Sequence, residues 1–213
     1  MPIPASTSTC VEGSGVWIVT VQEIILASKS KARRQLLEET GLKFYVFDTK
    51  LEEDFKHYGS CVKAVVGNAL EKAKKASAEF PSGIIIGADT LCYADKKIIG
   101  KPKSLEEARR NLRFLSRHPH WVYTGLALIG GSKGKVFTAF EKSRIFMLPL
   151  SDKQISGYFS KISPKDLAGG FDIRGRGAFF IRRIEGCFYN IVGLPLSKLY
   201  VLFRRVGIDL LKD

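Results

Sequence analysis

A carboxylate and a hydroxyl follow directly on a run of apolar residues near the middle of the chain. The segment 84–90 reads IIIGADT, so Asp89 and Thr90 end a stretch whose continuous hydrophobicity is typical of a buried central strand. In open α/β sheets, ligands bind beyond the carboxyl ends of the strands, where a carboxylate can hold a divalent cation or accept a proton from water. An aspartate after a strand is also a common turn residue, so both interpretations stay open at this point.

A second group of carboxylates stands upstream, where Glu52, Glu53 and Asp54 follow one another. Two carboxylates from separate segments, completed by substrate phosphates, form the kind of site that magnesium favours. Consecutive acids are equally typical of a solvated loop, so the spacing alone does not assign them a function.

Basic residues that could neutralise phosphate charge are spread over three segments. Arg33 and Arg34 fall after the first predicted strand and at the start of a helix, where guanidinium groups and backbone N–H donors together suit a phosphate. Lys72 lies within a long predicted helix, and Lys101 precedes Pro102, which restricts the lysine backbone to extended conformations. Either lysine could stabilise a phosphoryl transition state, although lysines on exposed faces look the same in a sequence.

Two further sets of residues carry weaker signals. The glycine-rich stretch 169–177, GGFDIRGRG, matches neither the Walker A nor the dinucleotide-binding pattern. Its glycines allow either a close backbone approach to a planar ligand or a bulged loop. His57, His118 and His120 show neither metal-ligand spacing nor a nucleophile partner, so no role is assigned to them.

Alternating strands and helices are predicted to position these residues. The first half predicts a strand at 23–28, a loop and helix at 29–41, a strand at 42–48, a long helix at 59–80 and a strand at 84–89. The second half predicts a hairpin turning at 94–96, two long strands, a last helix after the glycine-rich loop, and two helices with capping boxes, Ser104 with Glu107 and Ser151 with Gln154. The pattern predicts a mixed α/β fold, with a twisted sheet flanked by helices and two lobes around a central cleft.

The composition narrows the class of protein. A chain of 213 residues, 45% hydrophobic and 26% charged, is long enough to form a core without disulfides or metals. Four cysteines without a C-x-x-C pair, and the lack of an apolar run of about 18 residues, favour a cytoplasmic protein with no membrane span. The net charge of +13 favours polyanionic partners. Residues 1–22 are expected to be a loosely ordered extension before one domain at 23–213.

Eight short motifs occur in the order and near the spacing of one protein family. They are LASKSKARRQLLEETG, LEED, EKAKKA, IIGADT, GKP, VYTGLAL, AGGFDIRG and VGLPL. In this combination the chain resembles the Maf family, the septum-formation-inhibitor homologues, from about residue 23 to its C-terminus. The resemblance implies a nucleoside triphosphate pyrophosphatase that splits the bond between the α- and β-phosphates in a nucleotide-binding cleft, with Mg²⁺ or Mn²⁺ as cofactor.

The resemblance also implies roles for individual residues. Asp89 matches the family's catalytic acid, as general base or metal ligand, and Glu53 matches the second carboxylate, again catalytic and metal-binding. Lys72 matches the lysine of the long helix and Lys101 the lysine of GKP, both counted as catalytic. Thr90 matches a substrate-selecting position.

The positions expected to bind substrate include two departures from the family. Ser28 and Arg33 match phosphate contacts, but the family loop commonly reads Ser-Pro-Arg-Arg, whereas here Ala32 replaces the first arginine and Arg34 falls one place later. Arg174 stands where the subfamily similar to dTTP/UTP enzymes has a glutamine, which both donates and accepts hydrogen bonds, whereas arginine only donates. The base preference therefore stays open, although GADT and EGCFYNIVGLPL favour that subfamily over the one acting on methylated guanine nucleotides.

The sequence leaves two functional hypotheses. The leading one is a house-cleaning pyrophosphatase acting on dTTP, UTP or modified nucleoside triphosphates. The alternative is a catalytically inactive regulatory or nucleic-acid-binding protein on the same fold, and the retained acids and lysines favour the enzyme over it. A homodimer is compatible with the family resemblance, and no sequence feature tests it.

Overall fold

The computed structural model of the protein describes residues 7–10, 17–20, 23–55, 57–130, 134–165 and 167–212. The strands of this part of the chain are β1 Thr7–Cys10, β2 Trp17–Thr20, β3 Ile24–Ala27, β4 Tyr45–Val46, β5 Ile84–Ala94, β6 Lys97–Ile99, β7 His120–Gly130, β8 Lys135–Met147 and β9 Ile181–Glu185. The α-helices are α1 Lys31–Glu39, α2 Cys61–Glu79, α3 Leu105–Leu115, α4 Asp152–Phe159, α5 Phe188–Val192 and α6 Leu196–Arg205. Two 3-10 helices, Ala168–Gly170 and Gly175–Phe180, lie in the glycine-rich loop.

The main sheet has seven strands in the order β4-β3-β5-β7-β8-β9, and β6 pairs separately with β5. Strand β3 runs parallel to both β4 and β5, and the other pairings in this sheet are antiparallel. This arrangement confirms the mixed α/β fold that the alternation of strands and helices predicts.

Strands β1 and β2 pair only with each other among the described strands, as an antiparallel two-stranded sheet. The other residues of the expected extension, 1–6, 11–16 and 21–22, lie outside the described part of the chain. The loosely ordered extension and the domain boundary at residue 23 therefore stay predictions. None of the helices in the described ranges combines the length and the apolar character needed to cross a membrane.

Strand β5 unites the predicted strand at 84–89 with the first arm of the predicted hairpin, whose second arm is β6, and it has a gap in its pairing on one side. It continues beyond Asp89 to Ala94, because an antiparallel register with β7 holds residues 85–93 in one ladder. On its other side, β3 pairs with residues 84–87 and β6 with residues 92–94. Within the described residues, 88–91 thus have no strand partner on that side, and the segment around Asp89 and Thr90 borders open space.

Strand β4 is shorter than the predicted strand at 42–48. Only Tyr45 and Val46 are in strand conformation, and both side chains are exposed at the edge of the sheet. Because no described strand lies beyond them, the ladder ends here, and the chain continues from this edge into the loop that carries Glu53.

The predicted capping box of α4 forms between Ser151 and Gln154.

The predicted capping box of α3 forms only in part. The Ser104 hydroxyl accepts a hydrogen bond from the backbone N–H of Glu107, as in a complete box. The Glu107 carboxylate accepts from the backbone N–H of Lys103, one residue before the cap. The acidic side chain therefore caps the chain just outside the helix.

Two apolar clusters on one face of the sheet form the two lobes. One cluster joins α1 and α6 to β5 and β7 through residues such as Leu36, Ile86 and Phe203. The other joins α3 and α4 to the far ends of β7 and β8 through residues such as Leu112 and Ile145. The space between these clusters is the cleft that the fold prediction anticipates.

Helix α2 packs closely on the opposite face of the sheet. Its buried side chains recur every three to four residues and are mostly alanines, which keeps the helix close to β5 and β7. A Cβ atom on Gly87 would overlap the carbonyl oxygen of Ala69, and one on Gly125 would overlap the backbone of Val65. The two glycines therefore set the depth at which α2 rests on the sheet.

We expect Gly87→Ala to destabilise the fold by about 1–3 kcal/mol, because the added methyl group forces α2 away from β5. Urea unfolding followed by far-UV circular dichroism measures the change. Gly157→Ala on α4 is the matched control, since a Cβ there has open space around it and alanine favours the helix. Equal stability of the two variants would show that α2 does not depend on the close approach.

Candidate active site

The cleft between the two lobes is a cavity of about 740 Å³ that opens beside the unpaired segment of β5. Its described lining contains eight lysine and arginine residues and three acidic residues, so the cavity has a positive balance of charge. Eight of the ten residues predicted for the site lie in this lining: Ser28, Ala32, Arg33, Glu53, Lys72, Thr90, Lys101 and Arg174.

The other two predicted residues, Asp89 and Arg34, do not line the described cavity. Asp89 is completely buried behind it and reaches it through Lys72, with which it forms an ion pair. Arg34 points to solvent on α1 and pairs with Glu38 one turn later. The structure therefore brings Asp89 into the site and leaves Arg34 on an exposed helix face.

Lys72 connects the two predicted carboxylates. Its Nζ lies 2.7 Å from Asp89 Oδ1 and 2.9 Å from Glu53 Oε1. The Nζ of Lys101 lies 2.8 and 2.9 Å from the two carboxylate oxygens of Glu53. Acidic and basic groups therefore alternate from the buried Asp89 to the more exposed Lys101.

Asn68 completes the environment of Asp89 and was not predicted from the sequence. Its Nδ2 donates to Asp89 Oδ2 at 3.0 Å and to the Asp54 carbonyl oxygen at 2.9 Å, and its Oδ1 accepts from the Asp54 N–H. Asn68 therefore fixes the loop that carries Glu53 to α2. A signal was available in the sequence, because Asn68 and Lys72 are polar residues one turn apart on an otherwise apolar stripe.

The two carboxylates differ in their expected protonation. Burial raises the pKa of Asp89 above its ordinary value, Lys72 and Arg33 oppose that shift, and Glu53 adds to it. Burial also acts to raise the pKa of Glu53, but Lys72 and Lys101 outweigh it and lower that pKa to about 2. Glu53 therefore stays ionised at neutral pH, and Asp89 is the group that titrates closer to it.

Arg33 is a buried cross-link in the wall of the cleft. Its Nε donates to the Gly193 carbonyl oxygen at 2.8 Å, its Nη1 to Ser28 Oγ at 3.0 Å and its Nη2 to Thr90 Oγ1 at 2.8 Å. Thr90 also bonds to Thr124, whose hydroxyl donates to the backbone of the C-terminal segment. One guanidinium group thus joins the first loop, β5 and the chain after α5.

Gly193 lets the chain pass close to this cross-link. Its φ of 114° lies in a region that favours glycine, and an added Cβ would press on Thr90 Oγ1 and Arg33 Nε. The glycine of the VGLPL motif therefore has a structural reason to be there.

Arg174 closes a second cross-link, at the mouth of the cleft. Its guanidinium forms an ion pair with Asp172, with Nη2 and Oδ2 2.7 Å apart, and its Nη1 donates to Gln35 Oε1 at 3.1 Å. The glycine-rich loop is thereby tied to α1 across the opening. Each of Nη1 and Nη2 carries a second N–H beyond these bonds, so the edge of Arg174 can still donate to a ligand.

The described residues contain no group of three or more His, Cys, Asp or Glu side chains arranged to hold a metal by themselves. Asp89 and Glu53 supply two carboxylates, and the Lys72 ammonium lies between them. This set matches the pattern in which Mg²⁺ is held by one or two carboxylates and otherwise by substrate phosphates and water. The residues fit a metal that arrives with a phosphate ligand better than a permanently bound one.

The fold and site define an α/β protein with a cationic cleft built around a buried carboxylate. The sequence model of the Maf-like protein family matches residues 23–206, so this chain belongs to that family. A dTTP/UTP pyrophosphatase of Dictyoglomus turgidum is 42% identical over 191 residues, which cover 89% of this chain and 99% of that protein. A dTTP/UTP pyrophosphatase of a Geobacillus species is 38% identical over 187 residues, 88% of this chain and 100% of that protein.

Among solved structures, the Staphylococcus aureus Ham1 protein aligns with a TM-score of 0.42 and 14% sequence identity. The alignment covers 60% of this chain and 73% of that one. This likeness is too distant to inform the site.

We expect Arg33→Lys to lower the free energy of unfolding by about 1–3 kcal/mol, because lysine cannot reach all three acceptors and leaves buried polar groups unpaired. Chemical denaturation of the ligand-free protein measures this loss. Arg34→Lys makes the same chemical change at the neighbouring exposed position, and there we expect a change within about 0.5 kcal/mol. Similar losses in both variants would contradict a cross-linking role specific to Arg33.

Proposed function

We propose that this protein is a nucleoside triphosphate pyrophosphatase that hydrolyses the bond between the α- and β-phosphates and releases a nucleoside monophosphate and pyrophosphate. The observation that carries the proposal is the ion-paired centre of Asp89, Lys72, Glu53 and Lys101 at the wall of a cationic cleft. The dTTP/UTP pyrophosphatases that share up to 42% of the sequence over nearly their whole length support it. The four ion-paired side chains favour this enzyme over an inactive regulatory protein.

Asp89 is the general base in this proposal. Hydrolysis of a phosphoanhydride needs a group that takes a proton from the attacking water, and a base works best when its pKa approaches the working pH. Burial raises the pKa of Asp89 in that direction. Lys72 and Asn68 each donate to one oxygen of Asp89, so the carboxylate is held in one fixed orientation.

The negative charge of the triphosphate is stabilised in this proposal by Lys72 and Lys101, and Glu53 positions the two lysines. Cations near the bridging oxygen stabilise the negative charge that builds up on the pyrophosphate leaving group. Lys101 is the more exposed of the two lysines, and Glu53 holds its ammonium at the cleft wall. When phosphate displaces part of this ion pair, the lysine exchanges one anionic partner for another and no bare charge is buried.

The N-terminus of α1 is the proposed binding site for the phosphate groups of the substrate. The first turn of α1, all of it within the described residues, contains no acidic side chain that would compete with a phosphate. The Ser28 hydroxyl lies just before it in the same wall, and Ala32 leaves room where the family commonly has an arginine. Backbone N–H groups at a helix N-terminus bind anions without needing that arginine.

Asp89 and Glu53 are the proposed ligands of the divalent cation, Mg²⁺ or Mn²⁺. When bound, such a cation supplies Lewis-acid stabilisation of the phosphate oxygens. The protein residues contribute a pair of carboxylates whose positions are fixed, because each oxygen accepts a hydrogen bond from Asn68, Lys72 or Lys101. A cytoplasmic location and a homodimer stay predictions.

The proposal is tested by pyrophosphate release from a panel of canonical and modified nucleoside triphosphates with Mg²⁺ or Mn²⁺. We expect turnover of at least one pyrimidine nucleotide, and a loss of about 10²–10⁴-fold in kcat for Asp89→Asn, the usual contribution of a general base. Asp95→Asn in the β5–β6 turn is the matched control and should retain wild-type activity, because asparagine tolerates the positive φ found there. Absence of pyrophosphate release across the panel would reject the proposed function.

Arg174 is the proposed reader of the base. Its free N–H groups can only donate, so it favours bases that present acceptors, such as the O4 of uracil, over the amino group of cytosine. We expect Arg174→Met, which removes every donor of this side chain, to reduce the UTP to CTP ratio of kcat/KM by about tenfold, the value of one hydrogen bond of roughly 1.4 kcal/mol.

Arg176→Met, two residues along the same loop, is the control for this substitution. Arg176 is exposed and lines the same cavity, so its replacement removes an equal charge. If both variants change the UTP to CTP ratio equally, the selectivity comes from the charge of the loop and not from hydrogen bonding by Arg174.

A further inference from the structure

A row of alternating cations and aromatic rings runs across strands β7, β8 and β9. We call it the cation–ring row, and it consists of Lys142, Trp121, Arg144, Phe146 and Arg183. The Nζ of Lys142 lies 5.1 Å from the centre of the Trp121 ring. The Cζ of Arg144 lies 5.5 Å from the Trp121 ring and 5.0 Å from the Phe146 ring, and the Cζ of Arg183 lies 4.2 Å from the Phe146 ring.

The sheet register places the whole row on one face. Trp121 pairs with Arg144 and Phe146 with Arg183, and paired residues point to the same side of a sheet. Helices α3 and α4 pack on the other side, against the neighbours Val122 and Ile145. The residues of the row are therefore not part of the apolar core between the sheet and the helices α3 and α4.

The row is accessible at four of its five residues and lies outside the candidate active site. Lys142 and Arg183 are exposed, Trp121 and Arg144 are partly exposed, and Phe146 is buried beneath the guanidinium groups of Arg144 and Arg183. Phe140, two residues before Lys142 on the same face of β8, is 42% exposed. None of the five row residues lines the described cleft.

The charges of the row are only partly compensated. Arg183 pairs with Glu185 at 2.9 Å. Among the described residues, no carboxylate lies within ion-pair distance of Lys142 or Arg144. The row thus has three cations against one carboxylate, on a chain with a net charge of +13.

We propose that the cation–ring row is a docking surface for single-stranded nucleic acid. Bases stack on aromatic rings and on guanidinium planes, and lysine and arginine neutralise the phosphates between them. Alternate residues of β8 on one face repeat at about 6.8 Å, so the row offers a series of separate contacts along an extended strand. The surface needs no active-site residue, so the proposal does not depend on the enzymatic function.

A second copy of the chain fits this surface less well. A two-fold interface places the same patch on both sides, so the uncompensated Lys142 and Arg144 of each copy would face one another. A duplex could satisfy the cations with phosphates, but its stacked bases are not free to stack on Trp121 or Arg144. Single strands alone use both components of the row.

The test compares binding of fluorescein-labelled 20-nucleotide single strands, one of RNA and one of DNA, by fluorescence anisotropy over a range of salt concentrations. The variant Lys142→Gln with Arg183→Gln removes two row cations. We expect its affinity at low salt to fall at least tenfold, and the slope of log Kd against log salt to fall by about 1.4, since each phosphate contact on a single strand contributes about 0.7.

The matched control is Arg109→Gln with Lys153→Gln, on the helices α3 and α4. It removes the same charge from the other face of the sheet and should change the affinity less than twofold. The row lies outside the cleft, so pyrophosphate release should be unchanged in both double variants. Equal weakening in both would show that only bulk charge matters and would overturn the proposal.

Stacking is tested separately. The chain has two tryptophans, so Trp17→Phe leaves Trp121 as the single reporter, and single strands should quench its fluorescence without any truncation of the row. The RNA and DNA arms show which single strand is preferred. Equal affinity for a duplex, preferential binding to phosphatidylserine vesicles, or a dimer that the row variant dissociates in light scattering would each overturn the proposal.

Discussion

The ion pair between Lys72 and Asp89 is the interaction on which the rest of this structure depends. Asp89 is fully buried and Lys72 is only 7% exposed, and a buried charge is tolerated only when it is paired and hydrogen-bonded. To meet, the two residues need α2 pressed closely against β5, which the alanines of the helix and Gly87 permit. The same contact orients Asn68 and, through it, the loop carrying Glu53. The close packing of α2 on the sheet therefore also determines where the charged groups of the site lie.

The cleft follows from a second feature, the uneven pairing of β5. One side is continuous with β7, while the other is left open between β3 and β6 among the described strands. Arg33 and Arg174 bind the walls of this opening together from opposite ends, one buried and one at the mouth. Both arginines donate hydrogen bonds to other residues of the protein. They therefore stabilise the shape of the cleft.

Hydrophobic periodicity predicted most of the fold, because long buried strands and an amphipathic α2 leave a clear pattern. It predicted the strand at 84–89 and the following hairpin as separate elements, and it did not predict that one strand runs through both, because the pairing of residues 85–93 with β7 that holds them together is not visible in the sequence. Glu53, Lys72 and Lys101 could not be separated from solvated charges by spacing, and the family resemblance supplied their expected roles. The cross-link made by Arg33 could not be predicted from the sequence, because its hydrogen-bond partner Gly193 lies 160 residues further along the chain.

The central claim, that Lys72 controls the ionisation of a buried general base, is tested most directly by the pH dependence of kcat/KM for UTP. In the proposed mechanism, protonated Asp89 cannot accept a proton from water, so the rate is expected to fall as the pH drops through its pKa. Lys72 lowers that pKa. The account predicts that Lys72→Met moves the acid limb of the pH–rate profile to higher pH. Lys101 pairs with Glu53 and not with Asp89, so Lys101→Met is expected to move that limb less. An acid limb at the wild-type position, or at lower pH, in Lys72→Met would contradict it.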